Sequence, residues 1–414
     1  MSSLVNRLLY SKRKIAVILP LEDGYWPSCQ NILNNLISAF HSLNDKVDFE
    51  FFRFSGETTE EFMSLILNSH QSSHFEHLLY IDPYHHPSTF FKNFFSISNF
   101  KNIKVSLVVY GNFLKDFIKW HNFLTSNQNE MSFIVASNAQ KKLMEQFFLA
   151  DIHVIPFPVD SSVFHQHNRG HERNGDELIF VFAGRLSHQK NIYSLIKFFA
   201  KAKEENVLGK DFKLKLIGHF DDLYLPFSDS SAPLGTYFHE IFYALKREVG
   251  ADFFDNHVQF LGSLSPQELA QEFGMCDIFI SLSTFSHEDF GLAAAEALES
   301  GLYAILTKWG GHSSFKKLYP ESVNLIELVP SSSGFELRFD DFKKVLLETV
   351  SIYESKIYHS VLNKKHIADS YLSYFFAFKP SIPQVLTYSH DLVLKVRASE
   401  NNKYSLEVFK NYAE

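Results

Sequence analysis

Short apolar runs alternate with longer stretches of helical period through the first part of the chain. The apolar runs predict strands at 14–20, 47–54, 77–82, 104–110 and 132–137. The amphipathic stretches predict helices at 29–43, 60–69, 88–95, 114–123 and 139–148. Strands that alternate with helices at this spacing predict a parallel sheet covered by helices on both faces.

A polar stretch at 160–176 interrupts this alternation. It has no strand or helix period and contains Gly170 and Gly175, as interdomain linkers do. Strands and helices then alternate again to Arg338, and 340–374 is helical by period. Because 414 residues are too many for one ordinary core, we predict an α/β fold of two domains. The predicted parts are a first α/β domain at 1–163, a linker at 164–175, a second α/β domain at 176–338, and a carboxyl-terminal helix and tail at 339–414.

A strand-to-helix junction in the second domain carries two carboxylates. The apolar run 276–283 predicts a buried strand, and the Ala- and Leu-rich stretch from Phe290 to the stop signal Gly301 predicts a helix. Glu288 would then lie in the loop at the carboxyl end of the strand, where open α/β sheets bind ligands. Glu296 would lie about two turns inside the helix.

Helix geometry limits what these two carboxylates do together. A helix extended back to Glu288 would leave the side chains of Glu288 and Glu296 about 80° apart around the axis and about 12 Å apart along it. A glycosidase pair needs roughly 5 to 9.5 Å across one bond and is therefore disfavoured. A sugar joined through a diphosphate to a nucleoside fits better, with its phosphates near the backbone N–H groups of Phe290, Gly291 and Leu292. The simpler alternative is that the carboxylates favour the positive end of the helix or face water.

Two further motifs accompany the junction. Its helix is followed by a strand and Gly310-Gly311, and an earlier strand ends in Gly184-Arg185 with Lys190 five residues later. In these motifs the chain resembles the GT-B glycosyltransferases, specifically retaining family 4 (glycosyl transferases group 1). That family's signature is two Glu residues separated by seven others, then a Gly-terminated helix, a strand and a Gly-Gly loop. The resemblance implies two Rossmann-like domains facing a cleft, an acceptor domain at 1–163 and a nucleotide-sugar donor domain at 176–338. It also implies a carboxyl-terminal helix that crosses back onto the first domain.

The resemblance also implies transfer of a sugar from a UDP- or GDP-sugar donor to an acceptor hydroxyl, with retention at the anomeric carbon. Arg185 and Lys190 would bind the donor diphosphate, Glu288 the transferred sugar as the catalytic residue, and Glu296 the ribose. Gly24, in the loop after the first strand, is the best match for a phosphate contact there. The resemblance implies that no metal or cofactor is required. The acceptor would be a glycan, a lipid-linked molecule or a small molecule, in glycan, polysaccharide or glycolipid synthesis.

The first domain departs from the family where many members carry a histidine beside the anomeric centre. This chain has Tyr110-Gly111-Asn112 there, and an Asn side chain cannot act as a base. His85 and His86, at the end of the preceding strand, are candidates for that role, and structural roles for them are equally open. The departure keeps a second hypothesis alive, a GT-B domain that binds a glycan or a protein partner without turnover.

Composition excludes several other classes. A formal net charge of -8 gives no support for nucleic acid as a partner. Neither domain has the G-x-G-x-x-G of a dinucleotide-binding dehydrogenase. The linker histidines have no supporting ligands nearby, so no metal site is predicted.

The cellular location follows from two further features. The chain has only two cysteines, which excludes a disulfide framework and favours a reducing compartment. Because no apolar run reaches the roughly 18 residues of a membrane span, we expect a cytoplasmic protein. Phenylalanines and lysines at 90–101 leave peripheral contact with the inner membrane face open.

Overall fold

The computed structural model describes residues 12–21, 27–55, 57–83, 103–111, 124, 130–166, 177–222, 235–285, 288–331, 334–353, 360–377 and 380–386. The chain forms two compact units. The first runs to Pro158 and takes in the chain again from Lys364, and the second runs from Val159 to Asn363. The predicted helical region at 340–374 is therefore shared between the units.

The first unit is built around a parallel sheet. Its elements are β1 (Arg13–Leu19), α1 (Pro27–His41), β2 (Val47–Arg53), α2 (Thr59–Ser73), β3 (His77–Ile81), β4 (Lys104–Val108), β5 (Met131–Val135), α3 (Asn138–Glu145), β6 (Phe148–Leu149) and β7 (Asp151–Val154). Six strands form the sheet in the order β2-β1-β3-β4-β5-β7, with every neighbouring pair parallel. This confirms the predicted sheet. The predicted helices at 88–95 and 114–123 lie outside the described residues.

The second unit repeats this plan. Its elements are β8 (Leu178–Ala183), α4 (Ile192–Glu204), β9 (Phe212–Ile217), α5 (Thr236–His239), a π-helix (Glu240–Leu245), α6 (Lys246–Val249), α7 (Ala251–His257), β10 (Val258–Gly262), α8 (Pro266–Gly274), β11 (Ile278–Ser281), α9 (Leu292–Glu299), β12 (Tyr303–Thr307), α10 (His312–Leu318), β13 (Val323–Ile326), β14 (Val329–Ser331), β15 (Gly334–Glu336) and α11 (Phe339–Ile352). Its six-stranded sheet has the order β10-β9-β8-β11-β12-β13, again all parallel. The fold class is therefore α/β, as predicted.

The chain returns to the first unit in α12 (Lys364–Ala377), which is followed by β16 (Gln384–Val385). Tyr371 of this helix packs edge-on against Phe40 of α1, with ring centroids 5.0 Å apart. The hydroxyl of Tyr374 hydrogen-bonds the buried hydroxyls of Ser106 on β4 and Ser132 on β5. The predicted crossing helix is thus present, and it is shorter than the 340–374 region that the period suggested.

Strand order decides which loops of the second unit come together. β11 pairs with β8 on one side and with β12 on the other. Because the strands are parallel, the loops that follow β8, β11 and β12 leave the sheet at the same edge. These are the loops that carry the predicted Arg-Lys motif, Glu288 and the Gly-Gly turn. Within the described ranges, no helix is long and apolar enough to span a bilayer.

Candidate active site

The strand-to-helix junction is less helical than its sequence suggests. α9 begins at Leu292, two residues after the predicted start at Phe290. Gly291 adopts φ 93° and ψ 62°, a left-handed conformation that favours glycine. Glu288 therefore lies in a loop and not on a helix, and Glu296 is just over one turn inside α9. The separation of the two carboxylates estimated from a continuous helix does not apply.

Glu288 forms an ion pair with Lys190. Their side chains are only 9% and 15% exposed, and the Lys190 ammonium donates a hydrogen bond to Oε2 of Glu288. Burial acts to raise the pKa of Glu288, but the Lys190 charge and hydrogen bonds outweigh it and lower the pKa to about 2. Glu288 is consequently an ionised carboxylate held in place by a cation.

Arg185 and Lys190 both lie near the ring of Phe285. The ring centroid of Phe285 is 5.3 Å from the Arg185 guanidinium carbon and 5.2 Å from Nζ of Lys190. Nη1 of Arg185 also donates to Oδ2 of Asp221 at 2.6 Å, and Nη2 lies 3.5 Å from Oε1 of Gln189. Two cations are thus collected on one ring, where cation–π attraction favours both.

Backbone geometry and hydrogen bonds position the loops that carry Arg185 and Lys190. Gly218 follows β9 with φ 139°, and a Cβ at this position would lie 1.8 Å from the carbonyl oxygen of Gly184, so a side chain is excluded. Lys190 ends a 3₁₀ turn, and the next residue, Asn191, has φ 55°. The Asn191 side chain donates to the carbonyl of Leu282 at 2.7 Å, which ties this turn to the end of β11. Local hydrogen bonds therefore hold Lys190 near the junction.

Two buried glutamates of α9 have opposite environments. Glu299 accepts hydrogen bonds from the hydroxyls of Tyr319 and Ser360 and from the backbone N–H groups of Val361 and Leu362. Glu296 is 5% exposed, and its carboxyl group has no hydrogen-bond or ionic partner in the part of the chain that the structure describes.

Burial without a partner changes the pKa of Glu296. Burial raises its pKa to about 8, so the group is mostly protonated at neutral pH. Glu299 is a structural residue, whereas Glu296 has hydrogen-bonding capacity left for a ligand.

The structure brings together some of the predicted site residues and leaves others apart or undescribed. Lys190 contacts Glu288 directly, and Arg185 shares the Phe285 ring with Lys190. Phe290, Gly291 and Leu292 lead into α9, with Leu292 its first residue. Gly24 lies outside the described residues, as do His85, His86 and Asn112.

Three residues near the site were missed by the sequence analysis: Asp221, Phe285 and His312. Only His312 had a sequence signal, since it directly follows the Gly-Gly turn. Among the described residues, no three His, Cys, Asp or Glu side chains converge as metal ligands would.

Comparison with known proteins gives a family match over part of the chain and a fold for most of it. Residues 164–318 match the family model of the glycosyl transferases group 1. No curated protein matches the sequence.

Solved structures resemble most of the chain at low identity. An E. coli trehalose-6-phosphate protein bound with UDP-2-fluoro glucose has a TM-score of 0.60 at 8% identity and covers 89% of this chain and 100% of its own. The catalytic domain of Arabidopsis thaliana starch synthase IV, bound to ADP and acarbose, has a TM-score of 0.56 at 10% identity over 89% and 99%. An α,α-trehalose-phosphate synthase from Burkholderia xenovorans, in complex with glucose-6-phosphate, has a TM-score of 0.53 at 8% identity over 87% and 99%. The shared architecture is the GT-B fold.

Proposed function

The chain is a glycosyltransferase of the GT-B fold, and on this premise we propose that it moves a sugar from a nucleotide-diphosphate donor to an acceptor hydroxyl with retention at the anomeric carbon. The collection of Arg185 and Lys190 on the Phe285 ring, at the edge of the sheet where α9 begins, carries this proposal. Structures of the same fold that hold UDP-2-fluoro glucose or ADP support a nucleotide donor.

The two cations suit a diphosphate leaving group. Breaking the bond between the sugar and the diphosphate leaves negative charge on the phosphate oxygens, which fixed cations stabilise without reorganising. Arg185 supplies a planar fork and Lys190 a point charge. The positive end of α9 adds to this field, and the backbone N–H groups of Phe290, Gly291 and Leu292 lie at that end. Gly24 is the candidate phosphate contact from the first unit.

The two carboxyl groups suit the two sugar rings of such a donor. The ionised Glu288 accepts hydrogen bonds only, which fits hydroxyls of the transferred sugar. The protonated Glu296 both donates and accepts, which fits the ribose hydroxyls. Lys190 is bound to Glu288 and would therefore mark the boundary between sugar and phosphate. In this assignment Glu288 orients the reacting sugar and is not a covalent nucleophile, because its negative charge is paired with the Lys190 ammonium.

The acceptor assignment is broader. Acarbose and glucose-6-phosphate in structures of the same fold support a carbohydrate acceptor. We propose a glycan, a lipid-linked sugar or a small sugar derivative as the acceptor, without a metal cofactor.

The proposal is tested by donor binding and turnover. The full chain is screened by thermal shift against UDP, GDP, UDP-glucose, UDP-N-acetylglucosamine and GDP-mannose, and release of nucleoside diphosphate is then measured for each sugar that binds. Arg185→Ala removes charge-assisted hydrogen bonds to phosphate, so we expect nucleotide affinity to fall by about 10- to 100-fold. Lys344→Ala is the matched control, because this lysine is 75% exposed in the same unit.

Three outcomes separate the hypotheses. Binding and turnover that Arg185→Ala weakens and Lys344→Ala does not would support the transferase. Binding without turnover would favour the non-catalytic domain. If no nucleotide sugar stabilises the wild type and none is turned over, the transferase hypothesis fails. Retention itself is checked by the anomeric configuration of the first product in proton NMR.

A further inference from the structure

A histidine ring packs directly beneath the start of α9. His312 is 2% exposed and begins α10, immediately after the Gly310-Gly311 turn. Its ring edge lies against Gly291: a Cβ on Gly291 would be 2.9 Å from Cδ2 and 3.1 Å from Nε2 of His312. Only a glycine at 291 therefore leaves this ring in place. The ring is also close enough to Glu288 for the carboxylate to act on its pKa.

Hydrogen bonds define which ring nitrogen carries the proton. The hydroxyl of Thr307 donates to the carbonyl oxygen of Ser283 at 2.6 Å, since a carbonyl oxygen can only accept. That bond uses the single hydrogen of the Thr307 hydroxyl. The 3.2 Å contact between Thr307 Oγ1 and His312 Nδ1 therefore requires Nδ1–H to donate. Nε2 of the neutral ring is left unprotonated, with a free lone pair.

The ring stays neutral under ordinary conditions. Burial is the main cause that lowers the pKa of His312, to about 4, while the Glu288 charge acts in the opposite direction. Nε2 has no hydrogen-bond partner in the described part of the chain. A Cβ on Gly291 would lie 3.1 Å from Nε2, so this nitrogen faces the start of α9.

We propose that Nε2 of His312 accepts a hydrogen bond from a hydroxyl group of the transferred sugar, which makes His312 a specificity-determining residue of the donor site. The inference rests on the proposed function, because it requires a nucleotide sugar at the start of α9. An unprotonated Nε2 and an ionised Glu288 are neighbouring acceptors. Both are suited to hydroxyl groups and neither to phosphate oxygens, which are acceptors themselves.

The proposed contact of His312 is to the sugar and not to the nucleotide. The experiment therefore compares ligands with and without the sugar. Calorimetry measures the affinity of wild type and His312→Asn for UDP and UDP-glucose, and for GDP and GDP-mannose. Asn keeps an N–H near the position of Nδ1 for Thr307 but has no acceptor at the Nε2 position. We expect the variant to bind the nucleoside diphosphate as wild type does and the nucleotide sugar about tenfold more weakly. His312→Gln, whose amide reaches the Nε2 position, should restore part of that affinity.

The hydroxyl concerned is identified with the monodeoxy analogues of the sugar that binds. One analogue should bind wild type about tenfold more weakly than the parent sugar, and His312→Asn should not distinguish the two. A purely structural role for His312 would lower the affinities for nucleotide and nucleotide sugar alike, and would overturn the inference.

Nitrogen NMR of the wild type with labelled histidine gives a readout that does not depend on a folded variant. The free protein should show the His312 ring protonated at Nδ1 only. The Nε2 signal should move on addition of the nucleotide sugar and not on addition of the nucleoside diphosphate. Protonation at Nε2 in the free protein, or the same response to both ligands, would overturn the inference. If wild type binds no nucleotide at all, the proposed function fails, and the proposed role of His312 fails with it.

Discussion

Replacing Lys190 with methionine should leave an uncompensated charge in the second unit. Lys190 and Glu288 form an ion pair whose side chains are 15% and 9% exposed. The pair holds the pKa of Glu288 at about 2, against an ordinary value of 4.5. At about 1.4 kcal/mol for each pH unit, this difference corresponds to about 3 kcal/mol of stability near neutral pH. Loss of one partner from a buried pair commonly costs about 3 to 5 kcal/mol, which agrees.

The pH dependence of this loss has a definite sign. In the wild type, the lowered pKa of Glu288 contributes stability that is present above pH 4.5 and is lost as the pH falls towards 2. In Lys190→Met, burial raises the pKa of Glu288 instead, so the protonated form is favoured at low pH and the fold is penalised as the pH rises. The destabilisation by Lys190→Met should therefore be larger at about pH 8 than at about pH 5.

A double-mutant cycle measures the pair. Urea unfolding of wild type, Lys190→Met, Glu288→Gln and the double variant gives four free energies of unfolding. We expect the double variant to be more stable than Lys190→Met, with a coupling energy of about 2 to 3 kcal/mol. If the two single losses simply add, or if Lys190→Met costs the same at both pH values, the ion pair does not control Glu288 and the reasoning is wrong.

Three further predictions test other parts of the structure. Glu296→Gln removes a carboxyl group whose pKa is raised from 4.5 to about 8. Wild type loses stability as the pH rises between these two values and the variant does not, so thermal melts should show the variant gaining on wild type from about pH 4.5 to about pH 8; equal profiles would contradict this. Gly291→Ala places a Cβ 2.9 Å from Cδ2 of His312. Gly250→Ala is the control, because it adds a Cβ at a similar positive φ with no other atom within 4 Å. In urea, Gly291→Ala should lower the free energy of unfolding by about 2 kcal/mol more than Gly250→Ala does, and equal losses would exclude the clash. Tyr374→Phe removes the hydroxyl shared by two buried serines and should cost about 1 kcal/mol in the same assay; an unchanged free energy would show that the hydroxyl contributes nothing.

The sheets were predictable because buried parallel strands are apolar on both faces. The run 278–281 of β11 lies inside the predicted 276–283, and β12 is the strand expected between the helix and Gly310-Gly311. The start of α9 was not predictable in the same way. The sequence places no Ser, Thr, Asp or Asn directly before Leu292 to mark the helix start, and the structure begins the helix there after the left-handed Gly291.

The contacts of the site depend on tertiary structure that no local pattern reveals. Arg185 and Lys190 stand out in the sequence, but their carboxylate partners lie in separate loops at positions 221 and 288. The sequence does not distinguish Phe285 from the other phenylalanines of the chain. Its role is evident only from the structure, where two cations lie near its ring. The predictions therefore identified Arg185, Lys190 and Glu288 and missed Asp221 and Phe285, which contact the two cations.

Glu296 and Glu299 illustrate the same limit on one helix. Both are buried glutamates of α9, three residues apart. Glu299 is satisfied by a hydroxyl and two N–H groups at 360–362 and by Tyr319, which lie far away in the sequence. The sequence contains both carboxyl groups but not the partners that distinguish a structural residue from one available to a ligand.

The pairing of both cations changes how a donor would bind. Arg185 is already bound to Asp221 and Lys190 to Glu288, so a diphosphate would exchange one anionic partner for another and would not meet a free charge. Much of the phosphate attraction is then offset by the loss of the existing carboxylate contacts. Discrimination among donors must come from groups without such competition. Among the described residues, Nε2 of His312 and the carboxyl group of Glu296 have no such competitor. Of these two, His312 is assigned to the transferred sugar and Glu296 to the ribose. Changes at His312 should therefore alter the selectivity among donor sugars, whereas changes at the cations should lower the affinity for all of these donors alike.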